Sequence, residues 1–403
     1  PGLLMVSSFL SHKDGSHSVA EDLANRLRSE AESIICVSSY RSGLMRGLDM
    51  AATTLLRRRD YDVAIVGLYS GRAFLWGEAV SWLLEKLGCP FVISMHGGAL
   101  PEFAAQNSRR VKNCLSRASA VTAPSSYLVE LMRPYRDDIL LLPNPIEISR
   151  YEFRLRSEVQ PELIWLRSFH RIYNPHLAVR VAAELLEDFP DLFLRMIGPD
   201  KGDGSWHQTI QAASEIFSTK SHEENTKKDE AGKDRMSRID SGFSETDHSV
   251  NPEEKSCPSC LAAQSNSSLR EPSCGFVGEN VLMTGGVPNS EVPQWLDRGD
   301  IFLNTTNVDN APVSVIEAMA CGLPVVSTNV GGLPYLLEDG EDALLVPPDD
   351  AEAMAAAVRR LLIEPGLAER LSRNARRKAE SFDWSNVLPM WRDLLGQIVK
   401  KPR

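Results

Sequence analysis

Asn304-Thr305-Thr306-Asn307-Val308-Asp309-Asn310-Ala311-Pro312-Val313-Ser314-Val315-Ile316-Glu317-Ala318-Met319-Ala320-Cys321-Gly322-Leu323-Pro324-Val325-Val326 holds one complete strand–loop–helix–strand unit. An apolar run starting at Ile301 ends at Asn304, and a polar loop carries Asp309. A helix opens at about Pro312, where a missing N–H costs nothing, and stops at Gly322. Apolar residues resume at once over Pro324 to Ser327. A helix between two short, wholly apolar runs is the crossover of a parallel sheet.

The same alternation extends in both directions. Upstream and downstream, strands are expected at Glu162 to Leu166, Leu192 to Ile197, Asn280 to Thr284, Ile301 to Asn304, Pro324 to Ser327 and Ala343 to Val346. Helices begin near Pro175, Ser205, Ser290 and Pro312. A first set of strands falls at Leu3 to Ser8, Ser33 to Ser38, Asp62 to Gly67, Phe91 to Met95, Ala120 to Ala123 and Asp138 to Leu142. Ser18 to Arg28 reads as a helix, with Val19, Leu23 and Leu27 on one face and Ser18 as its N-cap. Leu142-Pro143-Asn144-Pro145 halts regular structure, and the polar stretch to Gln160 reads as a linker. The expected architecture is therefore α/β, two Rossmann-like doubly wound domains facing a central cleft. Their expected bounds are 1–150 and 151–383, with a helical tail, 384–403, crossing back to the first domain. Parallel sheets of this kind bind ligands beyond the carboxyl ends of their strands.

Composition narrows the chemistry. With 403 residues, 43% of them hydrophobic, and a mean hydropathy of -0.21, the chain can fill more than one core and holds no run long enough to span a bilayer. No secretory leader is legible at the start, and a cytoplasmic location is expected. Forty-four basic residues against 54 acidic give a net charge of -10, which argues against a nucleic-acid partner. Seven cysteines do not make a disulfide framework; Cys36, Cys89, Cys114 and Cys321 lie in apolar stretches and read as buried thiols. From about Ser218 to Ser273 the sequence is too polar to bury a core, so it reads as a disordered insertion in a surface loop. Within it Cys257, Cys260 and His248, with Cys274 just past its end, have some zinc-ligand character, but a second closely spaced Cys pair is missing.

In the opening stretch, the first N–H groups of the helix near Val313, Ser314 and Val315 have no helical acceptor and form a site for a diphosphate. Asp309 precedes that helix and Glu317 lies about one and a half turns inside it. Two carboxylates so placed can accept hydrogen bonds from different hydroxyls of one extended ligand. Alternatively, Asp309 favours the helix dipole and Glu317 is a solvated helix residue.

The run from Val281 to Pro348, with Asp309 and Glu317 eight positions apart and Thr328-Asn329-Val330-Gly331-Gly332-Leu333-Pro334 after them, resembles the donor-binding half of a retaining family 4 glycosyltransferase of GT-B fold. That family marks its site with two glutamates at this spacing; here Asp309 stands in the first position. The resemblance implies metal-independent transfer of a sugar from a UDP- or GDP-sugar, with no cofactor beyond the donor. By carry-over, Glu317 holds the ribose hydroxyls and Asp309 the donor sugar, with Gly286 and Asn310 among the donor contacts. Arg167 in Leu166-Arg167-Ser168 matches a family cation for the diphosphate, a role that suits a guanidinium. The family Lys is absent, and Arg171 or Lys201 would supply the second charge. His96 in Met95-His96-Gly97-Gly98 matches a family His that contacts the donor sugar and helps place the acceptor. Gly15 and Ser16 fall where the family has a glycine-rich loop near the diphosphate. Ser125, Asn144 and Glu338 sit in family-like surroundings and read as caps or turn residues. Arg57-Arg58-Arg59 reads as complementing a helix dipole in preference to a membrane or polyanion contact.

The acceptor implied is a glycan, a lipid-linked molecule or a small molecule. A peripheral contact at the inner membrane face is left open. So are two other readings: a nucleotide-sugar epimerase of the same fold, and a paralogue that binds nucleotide sugar without turnover.

Overall fold

The structure is a computed structural model that describes residues 2–7, 9, 19–28, 31–40, 42–217, 275–276 and 280–400. The first sheet contains β1 (Gly2–Val6), β2 (Ser33–Val37), β3 (Val63–Leu68), β4 (Phe91–Met95), β5 (Ala120–Ala123) and β6 (Leu140–Leu141). Their spatial order is β2-β1-β3-β4-β5-β6, and every pairing is parallel. Alternate residues of these strands face opposite sides of the sheet. Leu4, Val6, Ala64 and Val66 pack under the helices Gly43–Leu56 and Phe74–Lys86. Leu3, Met5, Val63 and Ile65 pack instead against Leu23 and Leu27 of the helix Val19–Leu27. The final helix, Trp384–Lys400, lies on that same face through Trp384, Val387, Trp391 and Leu394.

The second sheet contains β7 (Glu162–Leu166), β8 (Phe193–Ile197), β9 (Gly275–Phe276), β10 (Val281–Thr284), β11 (Ile301–Asn304), β12 (Val325–Thr328) and β13 (Leu344–Val346). Its order is β13-β12-β11-β7-β8-β10-β9, parallel except where β9 runs antiparallel to β10 at the edge. Leu163, Trp165, Leu194 and Met196 face the helices Pro175–Leu185 and Ala351–Ile363. Ile164, Phe302 and Val325 face Val292–Asp297 and Val313–Ala320.

The doubly wound reading holds, with small departures. β9 is not anticipated by the sequence, because two residues are too few for any periodicity to register. β6 contracts to Leu140–Leu141, both 42% exposed at the sheet edge, where only one neighbour supplies hydrogen bonds. Cys89, Cys114 and Cys321 are buried, while Cys36 is only partly so. The stretch from 218 to 273 and the zinc reading of Cys257, Cys260, Cys274 and His248 lie outside the described residues.

The polar stretch after Pro145 is docked along much of its length. Tyr151 and Arg156 are buried, at 3% and 1% exposure. The Arg156 guanidinium donates to the carbonyls of Cys321 at 2.5 Å, Arg154 at 2.7 Å and Gly299 at 3.2 Å. Cys321 caps the helix Val313–Ala320, and the Arg376 guanidinium donates to Ala320 O at 2.7 Å. Both cations thus complement the negative end of this helix. A buried arginine surrounded by carbonyl acceptors leaves no apolar pattern in the sequence, which is why this strap reads as linker.

Candidate functional site

Arg167 is the first residue past β7, and its N–H continues the ladder by donating to Ile197 O at 3.0 Å. Opposite it, Gly198 has φ +154, and a Cβ there would lie 1.7 Å from Arg167 O, so only glycine fits. The guanidinium pairs with the Asp309 carboxylate, donates to Ser314 Oγ at 3.4 Å and lies 4.1 Å from the centre of the Tyr173 ring. The Arg167 and Asp309 side chains are only 12% and 14% exposed. Arg167 Nε is buried with no hydrogen-bond partner among the described residues.

Three glycines let neighbouring backbone close on the Asp309 loop. A Cβ on Gly331 would stand 2.2 Å from Asp309 O, one on Gly332 1.9 Å from Asn310 O, and one on Gly98 2.9 Å from Asp309 O. Gly98 belongs to the loop after β4, so the first sheet's loops touch the second domain at this point. The Ser125 hydroxyl, which caps the helix Ser126–Met132, donates to the Asn310 side-chain oxygen, and Asn144 Nδ2 donates to Ala311 O at 3.0 Å. Asn310 is therefore spent on bridging the two halves rather than turned to the cleft.

The helix Val313–Ala320 buries Val315, Ile316, Ala318 and Met319 against β11 and β12 and turns Val313, Ser314 and Glu317 to an open cleft of ≈ 820 Å³. Positions i, i+1 and i+4 of a helix share that side. The Tyr151 hydroxyl donates to Glu317 Oε1 at 2.6 Å. Burial pushes the Glu317 carboxyl above its usual range, and the Tyr151 bond, Arg150 and Arg167 work against that rise. Gly286 lines the cleft and Val315 does not. Arg171 and Lys201 are exposed, and neither lines the cleft. The second cation there is Arg150, from the turn Ile148–Arg150, which donates to Asn289 O. Arg150, Tyr151 and Tyr173 escape the sequence reading. The only signal for the first two is an Arg–Tyr pair interrupting a polar stretch.

His96 extends β4, its N–H donating to Leu68 O at 2.9 Å. Its Nε2 is 3.1 Å from Ser94 Oγ, and its ring stacks on Tyr69 at 5.2 Å. It lines a small cavity of the first domain with Ser7, Gly67 and Asn144, apart from the cleft that holds Arg167. Burial pushes the imidazole down to about 4, so it stays neutral through physiological pH. A base depressed in the folded state contributes stability above its unfolded value, and that stability is lost as pH falls from about 6.5 towards 4. An NMR titration of the histidine C–H signals, with His96→Gln assigning the resonance, should show no His96 transition above pH 5. A midpoint near 6.5 would contradict the burial argument. Gly15 and Ser16 lie outside the described residues.

Two family models match the chain: Glycosyltransferase Family 4 over residues 16–150 and Glycosyl transferases group 1 over residues 259–364. Together they take in more than half of it. The chain belongs to the family 4 glycosyltransferases. A D-inositol 3-phosphate glycosyltransferase of Saccharomonospora viridis is 46% identical over 100 residues, 25% of this chain and 23% of that protein. The amylovoran biosynthesis glycosyltransferase AmsK of Erwinia amylovora is 39% identical over 93 residues, 22% of this chain and 23% of its own length. The aligned stretch thus spans about a quarter of these curated relatives. Among solved structures, HepE of Anabaena with UDP and glucose superposes with a TM-score of 0.67 at 15% identity, covering 98% of this chain and 99% of that one. Sucrose-phosphate synthase of Thermosynechococcus elongatus does so with the same score at 16% identity, covering 98% of each chain. At such identities the likeness is one of fold, GT-B, which this family 4 chain shares. The matched segments bracket the site: Asp309, Glu317 and Gly332 fall in the second, while Arg167, Tyr173 and Gly198 lie between the two.

Proposed function

We propose that the chain moves a sugar from a UDP- or GDP-sugar to an acceptor hydroxyl, with retention at the anomeric carbon and without a metal ion. One observation carries this reading: Arg167 and Ser314 meet at the N-terminus of one helix, Glu317 lies one turn further along it on the same cleft, and Asp309 is held against Arg167. The donor diphosphate lies over the N–H groups of Val313 and Ser314, the Val315 N–H being taken up by Pro312 O at 3.2 Å, with Arg167 and Arg150 as fixed positive charges. Glu317 accepts hydrogen bonds from the ribose hydroxyls. Asp309, which does not itself line the cleft, orients Arg167 and acts on the donor through it. The first half of the chain presents the acceptor, with His96 neutral at its strand end.

The C1–O bond to the diphosphate breaks as the acceptor oxygen bonds to C1 on the same face. The acceptor proton passes to the departing diphosphate oxygen, whose charge Arg167 and the helix N-terminus stabilise where it develops. Binding of UDP and glucose by the HepE structure supports the donor class. Glycan, lipid-linked and small-molecule acceptors all remain candidates, and a nucleic acid does not.

Incubation with radiolabelled UDP- and GDP-sugars tests the proposal. Free nucleoside diphosphate with a labelled glycoside is the expected result, unchanged by EDTA. An altered nucleotide sugar would mean epimerisation, and binding without product would mean a carrier. Activity lost on chelation and restored by manganese would overturn the metal-independent step.

A further inference from the structure

Asp22 lines the same cleft as Glu317, and every other described residue that lines it comes from Arg150 onward. It belongs to the helix Val19–Leu27, which follows β1 and buries Glu21, Leu23, Ala24 and Leu27. Asp22 and Arg26, four positions apart, share one edge of that helix. The Arg26 guanidinium pairs with Glu147 and lies 4.8 Å from the centre of the Trp384 ring. That ion pair moors the helix edge to the strap that serves Glu317, because Arg150 lines the cleft and the Tyr151 hydroxyl reaches the Glu317 carboxylate. From Glu147 to Tyr151 the backbone spans at most about 14 Å, and less across the tight turn Ile148–Arg150.

The two carboxylates therefore face one ligand position from opposite halves of the chain. Burial is the main cause that raises the Glu317 carboxyl; the Asp22 charge adds to that rise and Arg150 opposes it. Like charges across a cleft repel unless donors stand between them. Arg150 supplies part of that compensation. A vicinal diol completes it, since carboxylates only accept and each hydroxyl can donate. A phosphate group would instead add a third negative charge at this point. Asp22 also lies in the first turn of its helix, where a carboxylate favours the dipole, but that role does not require it to line the cleft.

We infer that Asp22 is a second carboxylate on the ribose diol of the donor, held to it from the first domain while Glu317 holds it from the second. The inference deepens the proposed donor site and rests on the ribose lying at Glu317. It makes Asp22 a specificity-determining residue, selecting ribonucleotides over their deoxy counterparts, and makes the bound nucleotide a link between the two halves of the chain.

Calorimetric titration of the full chain with UDP and GDP, and with their 2′,3′-dideoxy analogues, tests it. For whichever nucleotide binds, Asp22→Ala should weaken the ribonucleotide about tenfold or more, the scale of a hydrogen bond to a charged group, and leave the dideoxy analogue unchanged. Asp22→Asn keeps one acceptor oxygen and should recover part of that loss. A carboxylate that serves only its helix would lower the melting temperature in Asp22→Ala and leave the ratio of the two affinities in place, which would overturn the inference. So would tighter ribonucleotide binding by Asp22→Ala, since Asp22 would then be repelling the diphosphate. If neither UDP nor GDP binds the wild type, the donor reading fails and the inference with it. If one binds and Asp22→Ala keeps the full preference for the diol, the donor reading stands and the inference alone fails.

Discussion

Arg167→Ala is expected to cut kcat/KM for sugar transfer about a hundredfold or more, the effect of removing one fixed positive group from a developing anion. Two losses coincide in that variant. The leaving diphosphate loses a guanidinium held in place by Asp309, Ser314 and Tyr173, and Asp309 is left as a nearly buried carboxylate without its cation. Arg167→Lys should recover only part of the rate, because an ammonium cannot stack on Tyr173 and reach Asp309 and Ser314 together. Asp309→Ala should also fall about tenfold to a hundredfold, the cost of a hydrogen bond to a charged group. Asp309→Glu should be tolerated. Steady-state kinetics alongside calorimetric titration of UDP separates the steps, since loss of the phosphate contact weakens nucleotide affinity as well as turnover. Wild-type rates in Arg167→Ala, with the fold intact by circular dichroism, would remove Arg167 from the site.

The strands of both sheets are legible because parallel strands buried on both faces are written as short apolar runs, such as Leu163 to Leu166 and Phe302 to Leu303. The helix Val313–Ala320 announces itself by Pro312 before it and Gly322 after it. Side chains supplied by irregular backbone are less visible. Arg150 reaches the cleft, and Tyr151 reaches Glu317 behind it, from a strap held down by Arg156 and Arg376, and neither composition nor periodicity reports a strap. Asn310 shows the converse limit. Its position beside Asp309 suggests a ligand contact, yet the Ser125 hydroxyl occupies its side-chain oxygen. Sequence separation between those two residues hides a contact that depends on how the two sheets meet. The glycines explain why that meeting is close: Gly98, Gly331 and Gly332 each stand where a methyl group would strike the Asp309–Asn310 backbone. A resemblance can flag Gly331-Gly332 as a motif, but only the structure shows that the pair sets the height of the Asp309 loop.

Glu317→Ala should lower kcat/KM about tenfold to a hundredfold, mostly through a higher donor KM, because the carboxylate acts on the ribose and not on the reacting carbon. The companion variant Tyr151→Phe distinguishes this from a structural effect. Tyr151 is buried, its main-chain oxygen accepts from Arg376 at 3.0 Å, and its hydroxyl donates to Glu317 at 2.6 Å. Removing only that oxygen keeps the packing and leaves Glu317 with one fewer group favouring its charge. Burial already raises this carboxyl, and the ionised form is the one that accepts from ribose hydroxyls on both oxygens. Donor affinity should therefore decline as pH falls through a range above that of an ordinary carboxylate, and in Tyr151→Phe the decline should begin at higher pH. Calorimetric titration of UDP from pH 8 to pH 5 measures both. A purely structural tyrosine would lower melting temperature and leave the pH profile in place, and a Glu317→Ala protein with wild-type donor KM would place the ribose elsewhere.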